Sequence, residues 1–65
     1  MSPEEDRSAK YYAWMRIGYR CGFLFYDDVE AMAFNYVDAG KMLPQYAEKL
    51  VAECRKDEGY GQPVD

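Results

Sequence analysis

Cys21 and Cys54 are the only thiols in this 65-residue chain, and it contains no histidine. A Ser-His or Cys-His nucleophile pair is therefore out of reach, and so is zinc held by the usual mixture of Cys and His within one chain. Three catalytic routes remain: a buried carboxylate pair, a desolvated lysine, or a glycine-rich loop around phosphate. The segment "GYGQ", beginning at Gly59, does not suit the last of these, because it follows a helical pattern rather than opening one. Cys21 falls in an apolar stripe, where a thiol more often packs than reacts. So short a chain is also poorly able to enclose a ligand pocket of ~300–1,000 Å³. The expectation is a non-catalytic protein without cofactor or metal.

The stability of such a chain is the next constraint. A domain of this size buries only about 60% of the surface its unfolded form exposes, so it usually needs a disulfide, a metal or a partner. "MSPEEDRS" at the start lacks the basic opening and apolar core of a signal peptide, and no apolar run approaches the ~20 residues that span a membrane. A reduced, cytoplasmic protein with no membrane association is expected, although a single Cys21–Cys54 disulfide is formally open. Oligomerisation, or folding on a partner, is left as the stabiliser. Composition agrees with a packed chain: 49% of residues are hydrophobic and 17% aromatic, seven of them tyrosine, a residue that suits half-buried positions and protein interfaces alike.

End signals divide the chain into three helices, which makes the fold class all-α: a small three-helix domain with a long first helix and then a two-helix hairpin, expected to be dimeric. In "SPEE", Ser2 caps, Pro3 takes the first helical position and Glu5 completes a capping box. In "DDVE", Asp27 is the expected cap of a second helix from about Asp28 to Ala39, with Gly40 as a left-handed stop. Pro44 opens a third helix that continues to about Asp57. The domain is thus expected over residues 1–58, and "GYGQPVD" (59–65), which has no periodicity, as a mobile tail. Val29, Met32, Ala33, Tyr36 and Val37 form the apolar stripe of helix two, and Leu43, Ala47, Leu50, Val51 and Cys54 that of helix three. The short link "GKML" makes these two helices neighbours that run antiparallel or cross steeply.

Helix one is less ordinary. Tyr11, Trp14, Met15, Gly18, Cys21, Gly22 and Phe25 follow helical spacing, which places two glycines in the middle of an apolar stripe. Each costs about 1 kcal/mol against alanine inside a helix. The return would be close approach of a second helix along a crease, so Trp14, Gly18, Cys21, Gly22 and Phe25 are the expected self-association residues. Tyr12, Tyr19, Phe23 and Tyr26 widen the apolar arc to roughly half the circumference, more than two short helices need to cover. The alternative is that the helix ends near Gly22 and "FLFY" is a connector folded over the core, since a glycine before an apolar run can equally be a C-terminal cap.

Charge narrows the choice of partner. The formal net charge is −4. Residues 1–26 carry +1 (Arg7, Lys10, Arg16 and Arg20 against Glu4, Glu5 and Asp6), and the remainder carries −5. Direct nucleic-acid binding needs a basic stripe that this balance does not supply, and "PQYAEKLVAECRKD" is an electrically mixed recognition helix. An acidic face can instead dock on a basic protein. The leading expectation is a homodimer that binds another protein, as an inhibitor or modulator of a regulator, DNA-binding protein or enzyme. Its partner-facing residues would be Tyr12, Arg16, Tyr19, Arg20 and Phe34. In size and charge the chain is similar in type to short acidic proteins of phages and mobile elements that disable host machinery. The alternatives are a dimeric transcriptional regulator that doubles the strip Lys10, Arg16 and Arg20 by symmetry, and a structural subunit of a larger complex.

Overall fold

A computed structural model describes residues 2–59. It contains three α-helices: α1 (Pro3–Arg20), α2 (Tyr26–Asp38) and α3 (Pro44–Asp57). No strand occurs among the described residues. Of the tail expected over residues 59–65, residues 60–65 lie outside them.

α1 starts as its sequence dictates. Ser2 Oγ accepts the Glu5 N–H at 3.2 Å while the Glu5 carboxylate accepts the Ser2 N–H at 3.2 Å, so two of the orphan donors of the first turn are satisfied reciprocally. It ends earlier than the crease requires. Cys21 is the last residue of right-handed conformation, Gly22 turns left-handed at φ 84°, and a Schellman pair closes the helix: Gly22 N–H to Tyr19 O at 3.2 Å and Phe23 N–H to Gly18 O at 2.8 Å. The continuous helix through Phe25 is therefore corrected to the connector alternative. Glycine at position 22 serves the stop, since a left-handed residue with a Cβ costs roughly 1–2 kcal/mol.

Gly18 has a different task. The chain doubles back after Gly22 and lays Leu24 against Gly18, so that a Cβ there would stand 3.0 Å from Leu24 Cδ1. The close approach that the crease offers is taken up within the chain.

The start of α2 also differs from expectation. Phe25, whose side chain has no acceptor, occupies the N-cap, and Asp28 reaches back to accept the Phe25 N–H at 3.0 Å. Asp27 is therefore a first-turn residue and not the cap, because the tight turn after Gly22 delivers the chain into helix two residues sooner. At the other end Gly40, at φ 73°, repeats the Schellman closure, with Lys41 N–H on Tyr36 O at 2.8 Å. Pro44 opens α3 at its first position, where a missing N–H has no consequence.

Cross-links between helices fix their directions. Ser8, Tyr12, Arg16 and Tyr19 of α1 meet, in that order, Leu43, Lys49, Cys54 and Glu58, so α1 and α3 run parallel. Tyr26 of α2 meets Arg55 of α3, and Tyr36 packs edge-on against Tyr11 of α1 with ring centroids 4.8 Å apart, so α2 runs antiparallel to both. The core of this up-down-up bundle is Met15, Val29, Ala33, Met42, Ala47, Leu50, Val51 and Cys54. It uses the expected stripes of α2 and α3, except that Leu43 is the N-cap of α3 and Met42 takes the buried place instead. On α1 the inward face is Ser8, Tyr11, Tyr12, Met15 and Tyr19, rotated away from the expected stripe, and it leaves Trp14 53% exposed.

Ser8 lies on that inward face. It is fully buried, donates to Glu4 O at 2.8 Å and accepts the Leu43 N–H at 2.9 Å, which satisfies a backbone donor that α3 cannot satisfy itself. Beside it Arg7 donates to the carbonyls of Gly40 (3.1 Å) and Lys41 (3.2 Å) just past the negative end of α2.

The two accounts of Gly22 predict opposite signs. Gly22→Ala is expected to destabilise the domain by about 1–2 kcal/mol in urea unfolding, through its positive φ. A helix continuing through residue 22 would instead gain about 1 kcal/mol from the same change.

Candidate interaction surface

The residues expected to face a partner or a second copy, together with the apolar residues exposed beside them, divide into three groups. Arg16, Tyr12 and Tyr19 lie on the α3 side of α1 and serve the fold. The Arg16 side chain is 19% exposed; Nη2 pairs with Asp57 Oδ2 at 2.6 Å, Nη1 donates to Cys54 Sγ at 3.6 Å, and the guanidinium stands 5.8 Å from the Tyr19 ring centroid. Burial is the largest single influence and works against its charge, but the hydrogen bonds it donates to Asp57 and Cys54, with their electrostatic attraction, together outweigh it and the pKa is raised. Tyr12 is covered by the Lys49 ammonium, 5.5 Å from its centroid. Tyr19 donates its phenolic hydrogen to the Glu58 carboxylate and lies 3.4 Å from Cys54 O. The assignment of Arg16 as a free, partner-facing charge is thus corrected: it fastens α1 to α3.

Burial raises the Cys54 thiol pKa, against the opposing pull of Arg16, and Cys54 is fully buried. Cys21 is exposed, and both thiols are free. Among the described residues no three Cys, Asp or Glu side chains stand close enough together to hold a metal ion, and no helix is long and apolar enough to cross a membrane.

The second group forms the outer surface. Trp14, Ile17 and Cys21 follow each other at helical spacing along the solvent side of α1, with Trp14 53% and Ile17 61% exposed. They continue into the connector, where Phe23 is 84% and Phe25 75% exposed. Single exposed apolar residues are ordinary, but four large ones within residues 14–25 are many for so small a domain. Of the expected self-association residues, Trp14, Cys21 and Phe25 belong to this surface. Gly18 lies beneath Leu24, and Gly22 forms the turn.

Arg20 and Phe34 stand apart from both groups. Arg20 is exposed at the end of α1, and Phe34, 41% exposed, lies on α2 away from the core. The strip Lys10, Arg16 and Arg20 is likewise divided: Lys10 pairs with Asp6 at 3.2 Å and Arg16 with Asp57, and only Arg20 projects as a simple surface cation.

At the end of the bundle where α1 and α3 finish and α2 begins, an open cleft of about 540 Å³ separates the connector from the last turn of α3. Tyr19, Leu24, Phe25 and Tyr26 form its walls. Asp27, Asp57 and Glu58 supply its acids, and Arg20 its one cation. Sequence periodicity could not find this cleft, because its residues come from three separate elements and are joined by the turn at Gly22.

Two outcomes follow from the α1–α3 seam. Arg16→Glu is expected to lower stability by about 2 kcal/mol or more, since it sets a like charge against Asp57, whereas Arg20→Glu should stay within about 0.5 kcal/mol in the same urea titration. The hydrogen bond to Glu58 favours the neutral phenol and pushes the Tyr19 pKa up to about 12. A raised folded-state pKa contributes stability in full below the unfolded value of about 10 and loses it as pH rises toward 12. The gap in urea midpoint between wild type and Tyr19→Phe should therefore be constant below about pH 10 and close on approach to pH 12. A gap that persists unchanged would show that this hydrogen bond is not its source.

No protein-family model, curated protein or solved structure matches the chain. What its surface can bind follows from the chemistry of these side chains alone.

Proposed function

We propose that the protein is a non-catalytic binding domain that acts by docking on another protein, in the manner of an inhibitor or modulator. The observation that carries this reading is the exposure of Trp14, Ile17, Phe23 and Phe25 within one short stretch of chain. Large aromatic and aliphatic side chains are the usual anchors of protein interfaces, and keeping four of them in water has no counterpart in the packing of the core.

Self-association is part of the proposal and is relocated. With Gly18 covered by Leu24, the face of α1 that a second copy can reach is the outer strip Trp14, Ile17 and Cys21. The DNA-contacting alternative draws less support, because two of the three cations it needs are engaged by Asp6 and Asp57. Their neutralisation of phosphates would first have to break these pairs.

Photo-crosslinking in cells that express the protein tests the reading. With a benzophenone amino acid at position 17, an adduct of twice the chain's mass is expected; at position 23, a discrete adduct with a different protein. The same group at Glu48, on the exposed side of α3, should give neither. Absence of a discrete adduct at both surface positions would overturn the proposal.

A further inference from the structure

The polar cleft at the end of the bundle has a charge and a shape that select among protein partners. We infer that it receives a basic side chain, arginine or lysine, carried next to a large apolar residue on a segment of another protein. This rests on the protein-binding reading above and specifies its chemistry.

Three features converge on a cation. The lining carries three carboxylates, Asp27, Asp57 and Glu58, and the cation Arg20; with Asp57 balanced by Arg16, Asp27 and Glu58 still outnumber Arg20. Asp57 and Glu58 are held in place by Arg16 and Tyr19, while the Asp27 carboxylate has no hydrogen bond or ion pair among the described residues and remains available. The parallel arrangement of α1 and α3 brings two helix C-termini to the same end, each equivalent to roughly half a negative charge, against only one N-terminus, that of α2. The walls include the aromatic residues Tyr19, Phe25 and Tyr26, a residue type that pairs favourably with guanidinium and ammonium groups, as Tyr19 already does with Arg16.

The apolar half of the occupant follows from the rim. Phe25 is part of the lining and is 75% exposed, and Phe23, two residues earlier, is 84% exposed. A basic side chain in the cleft would bring its neighbouring residue against them. An acidic occupant, or a nucleic acid, would meet repulsion from the same carboxylates.

Selection from a random dodecapeptide library displayed on phage, with the folded protein as bait, tests this directly. Enriched peptides are expected to carry Arg or Lys beside a large apolar residue. Fluorescence anisotropy with the selected peptides should show weaker binding at higher salt, a loss of about tenfold or more for Asp27→Lys, and a comparable loss for Phe25→Ala, which leaves the charge intact. Glu48→Ala, on the exposed side of α3, should change affinity by less than about twofold. Circular dichroism of each variant reports whether it is folded.

The contrary outcomes are distinct. Peptides without basic residues, or equal binding by Asp27→Lys, would overturn the cleft assignment. Binders lost on Ile17→Asp alone would leave the protein-binding reading standing and remove the cleft from it. A library that yields no binder would count against both. If the wild type is a dimer that Asp27→Lys turns into a folded monomer, the occupant is a second copy and the inference fails.

Discussion

The left-handed turn at Gly22 is the constraint on which the rest of the architecture depends. It stops α1 at Arg20, reverses the chain within five residues, and sends α2 back along the helix it has just left. The reversal is tight enough that Leu24 lies on Gly18, where a larger residue would leave no room. The two glycines that would cost a helix about 1 kcal/mol each thus have separate uses, one conformational and one steric. The same turn sets Phe23 and Phe25 in solvent, so the geometry that makes the bundle compact also leaves two large aromatic side chains exposed.

The core is small, and the helices are held as much at their margins as at their centre. α1 meets α3 through a ladder that is apolar at Met15 and polar on either side: Ser8 to Leu43, Lys49 over Tyr12, Arg16 to Cys54 and Asp57, Tyr19 to Glu58. Exposed ion pairs contribute little to stability in general. Arg16 is of more consequence because it is mostly sheltered and its partners are fixed by α3. These polar contacts depend on direction and spacing, and so they specify the parallel register of α1 and α3 in a way that hydrophobic contact would not.

Much of the fold was legible in the sequence, for local reasons. The Ser2–Glu5 box, Pro44 at the head of α3 and the stop at Gly40 are signals confined to a few residues, and the stripes of α2 and α3 follow one periodicity each. Two things were not legible. A glycine before an apolar run reads equally as a helix stop or as a crease, and only the left-handed conformation at Gly22 decides between them. The inward face of α1 was misplaced because it includes the polar Ser8, whereas Trp14, which the apolar spacing draws inward, points out. Ser8 does stand at helical spacing from Tyr11, Tyr12 and Met15, a clue that treating buried serine as an exception conceals. Arg16 was read as a free charge for a related reason: its partner Asp57 lies on another helix, and no spacing within α1 reveals it.

The bond between Ser8 and Leu43 has one more consequence. Leu43 stands at the head of α3, where its N–H has no acceptor within that helix, and Ser8 Oγ supplies one from α1. That single amide is therefore protected from exchange with solvent deuterium only while α1 is docked, whereas the amides inside α2 and α3 are protected by their own helices. Its exchange rate is a built-in gauge of how often the first helix lifts from the other two, separate from unfolding of the whole chain.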